Sequence, residues 1–152
     1  MELNEPLPPA LSPPIWYVVF GQDAHPHLFD RFLHPGFRHV FVFGYLPGHD
    51  LWIIYDVKFS HTVLGVIEAG DTARLIGWIR DSGTALEWKT RKTKTVRWRF
   101  GFWCVPAIKH LLGVRCVALT PRQLYRWMLK NGAKKIWSDD GLSDPKSSQG
   151  RS

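Results

Sequence analysis

Two apolar runs on either side of Leu46-Pro47-Gly48-His49 constrain this chain more than any other feature. Phe37-Arg38-His39-Val40-Phe41-Val42-Phe43-Gly44-Tyr45 and Leu51-Trp52-Ile53-Ile54-Tyr55-Asp56 are rich in β-branched and aromatic residues, and Pro47-Gly48 is turn chemistry. The stretch therefore reads as a β-hairpin. With the turn centred on Pro47-Gly48, Tyr45 faces Asp50, Phe43 faces Trp52 and His39 faces Asp56. His39 and Asp56 then share one face of the sheet with their Cβ atoms about 5 Å apart. A slip of one residue would separate them, because side chains alternate along a strand.

Further runs fit the same sheet. Ile15 to Phe20 is a buried strand closed by Gly21, and, counting the two hairpin arms as first and second, Phe59–Ile67, Arg74–Ile79 and Ala85–Thr90 read as third, fourth and fifth strands. An antiparallel meander is the economical topology. His27 to Leu33 has helical spacing and stops before His34-Pro35-Gly36. The longest apolar run, Ile15 to Phe20, is far too short to cross a membrane as a helix.

Downstream, the pattern changes to helices. In Phe102 to Gly113, Ile108, Leu111 and Leu112 fall on one face, Pro106 suits an opening turn and Gly113 suits a left-handed end. Cys104 thus lies at the N-terminus of a short helix, where partial positive charge and unpaired N–H groups favour a thiolate and can hold an oxyanion. Cys116, inside the apolar Val114–Leu119 segment, reads as an inert core thiol. A second helix begins at Thr120, with Pro121 at its first position, Gln123 completing a capping box and Gly132 at its end. The fold expected is α+β: an antiparallel sheet of about five or six strands with the cysteine-bearing helix and this second helix beside it.

At 152 residues, the chain suits one domain. We expect a proline-rich disordered arm over 1–14, the domain over 15–137 and a disordered tail over 138–152 rich in Ser, Asp and Gly. Two cysteines make neither a disulfide scaffold nor a zinc pattern. His25, His27 and His34 lack a carboxylate or cysteine at matching spacing, so neither metal nor other cofactor is expected. The first residues carry Glu2 and Glu5 and no basic segment, unlike a signal peptide, so a cytoplasmic or virion-associated protein is expected.

Charge is distributed unevenly. The net +7 divides into −5 over residues 1–71, +13 over 72–135 and −1 over the remainder. The basic block, densest over Lys89 to Arg99, would attract nucleic acid, an anionic polymer such as a wall glycan, or an acidic protein.

A histidine on a hairpin, further strands and then a cysteine opening a helix invert the papain order, in which the cysteine helix comes first. This arrangement resembles the circularly permuted branch of the NlpC-type, papain-like cysteine amidases and peptidases. Cys104-Val105 to Lys109, Leu111-Leu112-Gly113 and Thr120-Pro121-Arg122-Gln123-Leu124-Tyr125 are similar to small phage and prophage proteins of that branch, and the resemblance covers roughly residues 15–135. It implies a thiol hydrolase with Cys104 as nucleophile and His39 as general base. Asp56 is the best match for the third member, with Tyr55, His49 and His61 as alternatives and Gln22 as a candidate oxyanion donor. Trp16, Trp52, Trp98 and Trp103 are candidates for an aromatic wall around a substrate, or for core. The substrate implied is a peptide or acyl amide, such as a peptidoglycan peptide, with phage tail or virion proteins as partners. Two rival readings remain: an inactive virion or assembly component of the same fold, and a nucleic-acid-binding module using residues 89–99.

Overall fold

The structure, a computed structural model, describes residues 12–22, 31–58, 60–89, 101 and 103–137. In chain order the elements are β1 (Ile15–Gly21), β2 (His39–Leu46), β3 (Leu51–Val57), β4 (Thr62–Glu68), α1 (Thr72–Ser82), β5 (Gly83–Lys89), α2 (Cys104–Leu111), α3 (Pro121–Lys130) and β6 (Lys134–Trp137). The strands form one antiparallel sheet in the order β4-β3-β2-β1-β5-β6. The expected α+β class with a sheet of about six strands is the observed one.

β1 is central, and its sequence shows why. Val18, Val19 and Phe20 are all fully buried, so the strand is covered on both faces and reads as a continuous apolar run rather than an alternating one. On one face Val18, Phe20, Val40, Val42 and Leu86 pack against Val105 and Ile108 of α2 and Leu124 and Met128 of α3. On the other, Val19, Phe41, Phe43, Ile54 and Ala85 pack against Leu75 and Ile79 of α1. At about 1.5–3 kcal/mol for each large apolar side chain buried, these two layers supply the main driving force for the fold.

Two expectations about the elements need correction. Arg74–Ile79 is not a strand but the middle of helix α1. Its apolar run Leu75-Ile76-Gly77-Trp78-Ile79 fits either period, and the buried pair Leu75 and Ile79 is the helical one. The meander fails for the same reason: α1 carries the chain across the sheet from edge strand β4 to β5, on the far side of β1. Its 11 residues span about 16 Å of the roughly 19 Å that separates strands four places apart. A strand that the sequence reading did not assign, β6, pairs with β5 and ends the sheet; its four residues, two of them lysines, carry no readable alternation.

The hairpin register also differs from the expected one. Leu46 pairs with Leu51, Tyr45 with Trp52, Phe43 with Ile54 and Val42 with Tyr55, a shift of two residues. The turn is longer than the two residues assumed. It occupies Pro47 to Asp50, is closed by the His49 N–H donating to the Leu46 carbonyl at 3.1 Å, and holds Asp50 at φ 54°. The Tyr45 hydroxyl donates to the Asp50 carboxylate. A shift of two preserves the alternation of faces, whereas a shift of one would have reversed it.

Both later helices form where their sequence signals lie. Thr120 Oγ1 accepts from the Gln123 N–H at 3.3 Å, the Gln123 side chain accepts from the Thr120 N–H at 3.2 Å, and Pro121 opens α3. Gly113 (φ 63°) and Gly132 (φ 96°) follow α2 and α3 in the left-handed region. Of the expected N-terminal arm, Ser12 to Pro14 are described, and Pro13 is buried. The expected helix over His27 to Leu33 and the tail from Ser138 lie largely or wholly outside the described residues.

Candidate active site

The candidate site forms where the start of β2, the end of β3 and the opening of α2 converge. Registered pairing between β2 and β3 ends at Val42–Tyr55. If that ladder continued, Phe41 would face Asp56 and His39 would be its diagonal neighbour, within reach of long side chains. His39 Nε2 lies 2.5 Å from Asp56 Oδ1, a charge-assisted contact. Both side chains are largely shielded, at 11% and 13% exposure. His39 is the one polar residue in the fully buried class among the described residues, and its ring lies stacked 6.3 Å from that of Phe41.

Cys104 is the first residue of α2, with Trp103 in extended conformation as the N-cap. It is buried together with Val105, Pro106, Ala107 and Ile108, so the helix opens inside the molecule rather than at its rim. Two contacts fix that opening against the chain that follows it. Trp103 Nε1 donates to the Leu119 carbonyl at 3.1 Å, and Lys109 Nζ donates to the Ala118 carbonyl at 3.0 Å. An N-terminal helical turn leaves backbone N–H groups without intrahelical acceptors, and Pro106 contributes none. Cys104 and Val105 therefore carry backbone N–H groups that have no acceptor within the helix.

The electrostatics join the three residues. Burial opposes charge on the His39 imidazole, but hydrogen bonding to Asp56 and to Cys104, with the charges of both, outweighs it and pushes the pKa up to about 10. His39 is thus an imidazolium at neutral pH. Its Nε2–H donates to Asp56, which leaves Nδ1 as the ring's other polar atom. The arrangement comprises a cysteine at a helix N-terminus, a histidine that carries a proton and a carboxylate that orients the imidazole.

The other sequence candidates are dispersed. Tyr55, half-buried, packs with the cluster beneath α2 and α3. His49 is exposed in the hairpin turn, His61 is exposed and hydrogen-bonded to Ser60 Oγ at 2.9 Å, and Gln22 is exposed just after β1. Trp16 is core, and Trp52 Nε1 donates to Thr72 Oγ1 at 2.8 Å on the α1 side, so neither belongs to an aromatic wall at this site. Trp103 serves the helix opening, while Trp98, His25, His27 and most of the basic segment 89–99 lie outside the described residues. Among the described residues, no group of three or more His, Cys, Asp or Glu side chains is placed to hold a metal ion, and no helix is long and apolar enough to cross a membrane.

Two features escaped the sequence reading. Phe41 supports the His39 ring; the i, i+2 spacing on a strand was the available signal. Arg38, next to His39, holds its Nε buried without a hydrogen-bond partner among the described residues. A cation within an otherwise apolar strand run was the signal there. The chain matches no protein-family model, no curated protein and no solved structure.

Proposed function

We propose that the protein is a thiol hydrolase or acyl-transfer enzyme of the permuted papain-like kind, with Cys104 as nucleophile, His39 as acid–base and Asp56 as the residue that positions His39. The observation that carries this reading is the buried His39 imidazole, held through Nε2 by Asp56 and interacting with Cys104 at a helix N-terminus. In the proposed reaction the Cys104 thiolate, its proton on His39, attacks an amide or ester carbonyl carbon. Backbone N–H groups at the helix opening hold the resulting oxyanion. His39 then gives its proton to the leaving amine or alcohol as the C–N or C–O bond breaks, which leaves a thioester on Cys104. Water, deprotonated by His39, attacks the thioester and releases the acid and the thiolate. Asp56 holds the His39 ring in place throughout by its contact with Nε2. Peptidoglycan peptides are the first substrates to test, because the +13 of residues 72–135 suits a polyanionic wall.

The test is alkylation by iodoacetamide at pH 6, followed by mass spectrometry of the Cys104 and Cys116 peptides in wild type and His39→Ala. We expect Cys104 to react at least tenfold faster than Cys116, and that advantage to shrink in His39→Ala. Equal rates for the two cysteines in wild type, or an unchanged Cys104 rate in His39→Ala, would remove the activated thiol and the proposal with it.

A further inference from the structure

The sheet's free edge at β4 carries a feature that the isolated chain does not explain. Among the described residues β4 pairs with β3 on one side only, and the order of the sheet leaves its other side open. Natural edge strands are normally protected by lysine, proline, a bulge or very short length. β4 has none of these: Thr62-Val63-Leu64-Gly65-Val66-Ile67-Glu68 runs for seven residues in unbroken register with β3. Both faces are apolar and open to solvent, with Leu64 69% and Val66 61% exposed on one and Val63 41% exposed on the other.

Gly65 is the second, independent sign. Glycine inside a strand weakens it and marks a place where another backbone approaches closely. Among the described residues nothing requires glycine at that point, since an added Cβ would meet only Ile54 Cβ at 3.6 Å, an ordinary contact.

We propose that β4 is a homodimer interface in which two copies pair edge to edge, antiparallel, across a two-fold axis through Gly65. The register follows from elementary strand geometry. Outward-pointing N–H and C=O groups recur at every second residue, so a strand pairing with its own copy must place the axis on a residue rather than between two. Only Gly65 as that residue uses the whole of β4. Leu64 then faces Val66 of the second copy on one face, and Val63 faces Ile67 on the other. Thr62 faces Glu68, which keeps the two glutamates about 20 Å apart. Every apolar residue thereby meets an apolar one, and the like charges are separated. Gly65 meets Gly65, where the absence of side chains permits the closest approach. A cleft of about 380 Å³ lined by Ile67, Asp71, Arg74, Leu75 and Trp78 flanks the same edge and would be narrowed by the incoming strand. The second copy is favoured over a foreign peptide because the strand complements itself in this one register without any partner of special sequence.

The test uses the full chain. Light scattering after size exclusion at about 100 µM, suited to a contact of modest area, should give twice the chain mass. Leu64→Lys and Val66→Lys, both at positions already solvent-exposed, should weaken association at least tenfold without changing circular dichroism. Gly65→Cys in a Cys104→Ser/Cys116→Ser background should be joined to itself by a short bismaleimide. Val63→Cys in that background should not, since the two sulfurs would lie roughly 14 Å apart. A monomer at the highest concentration would overturn the proposal, as would a dimer indifferent to both lysine variants. Cross-linking at Val63→Cys but not at Gly65→Cys would refute the register and with it the two-fold on Gly65.

Discussion

Asp56→Asn is the sharpest perturbation of the candidate site, because it removes one charge and leaves the side chain's shape almost unchanged. His39 and Asp56 are 11% and 13% exposed, so solvent screens their interaction little. A hydrogen bond to a charged partner contributes about 1.5–3 kcal/mol net, and 1.36 kcal/mol corresponds to one pH unit in a pKa. The His39 pKa, held at about 10 in the native protein, should therefore fall by about one to two pH units in the variant. Long-range ¹H–¹⁵N correlation spectra of the imidazole, recorded from pH 6 to 10.5, give the midpoint directly. The alkylation rate of Cys104 near pH 9, compared between wild type and variant, gives the chemical consequence under the proposed mechanism. A parallel loss of about 1.5–3 kcal/mol in unfolding free energy at pH 7 should accompany the shift, because the two measure the same interaction. An unchanged or higher midpoint in Asp56→Asn would refute the assignment of Asp56 as the group that charges the histidine.

The same pKa sets a pH dependence for the fold. Because His39 is raised from 6.5 to about 10 in the folded chain, its stabilisation is complete below about 6.5. It then declines as the pH rises, by up to about 1.4 kcal/mol per pH unit, and is lost above the folded value of about 10. Urea midpoints at pH 6 and 9 should differ in wild type and nearly coincide in His39→Ala. Where α1 turns into β5, Gly83 lies at φ 145° and an added Cβ would fall 2.1 Å from the Phe20 carbonyl oxygen. Gly83→Ala should cost several kcal/mol, read as a large fall in melting temperature.

Much of the fold was legible where local signals and tertiary demand agree. β1, β2 and β3 are β-branched and aromatic runs bounded by glycine and proline. α3 announces itself through Thr120, Pro121 and Gln123, whose capping bonds all form. The signal failed where a short run satisfied two periods, as at Leu75 to Ile79. There the long step from β4 to β5 decides for a helix, and only the assembled sheet contains that information. The hairpin shows how an error in detail can leave a conclusion standing. The turn is wider than Pro47-Gly48 alone suggests, so every pair moves by two, yet His39 and Asp56 keep the same parity and still meet. Cys104 was visible through its place at a helix opening, whereas the burial that brings His39 to it depends on α2 docking against the sheet.

The division of the site between a hairpin and a distant helix has a consequence for how the protein comes into being. His39 and Asp56 are complete once residue 57 has been made, but Cys104 arrives on an element that must find its place from long range, which is entropically slow. Until α2 settles, Cys104 lies apart from the His39–Asp56 pair. Under the proposed chemistry, a chain still emerging from the ribosome is therefore inert, and the last docking event of folding arms the nucleophile.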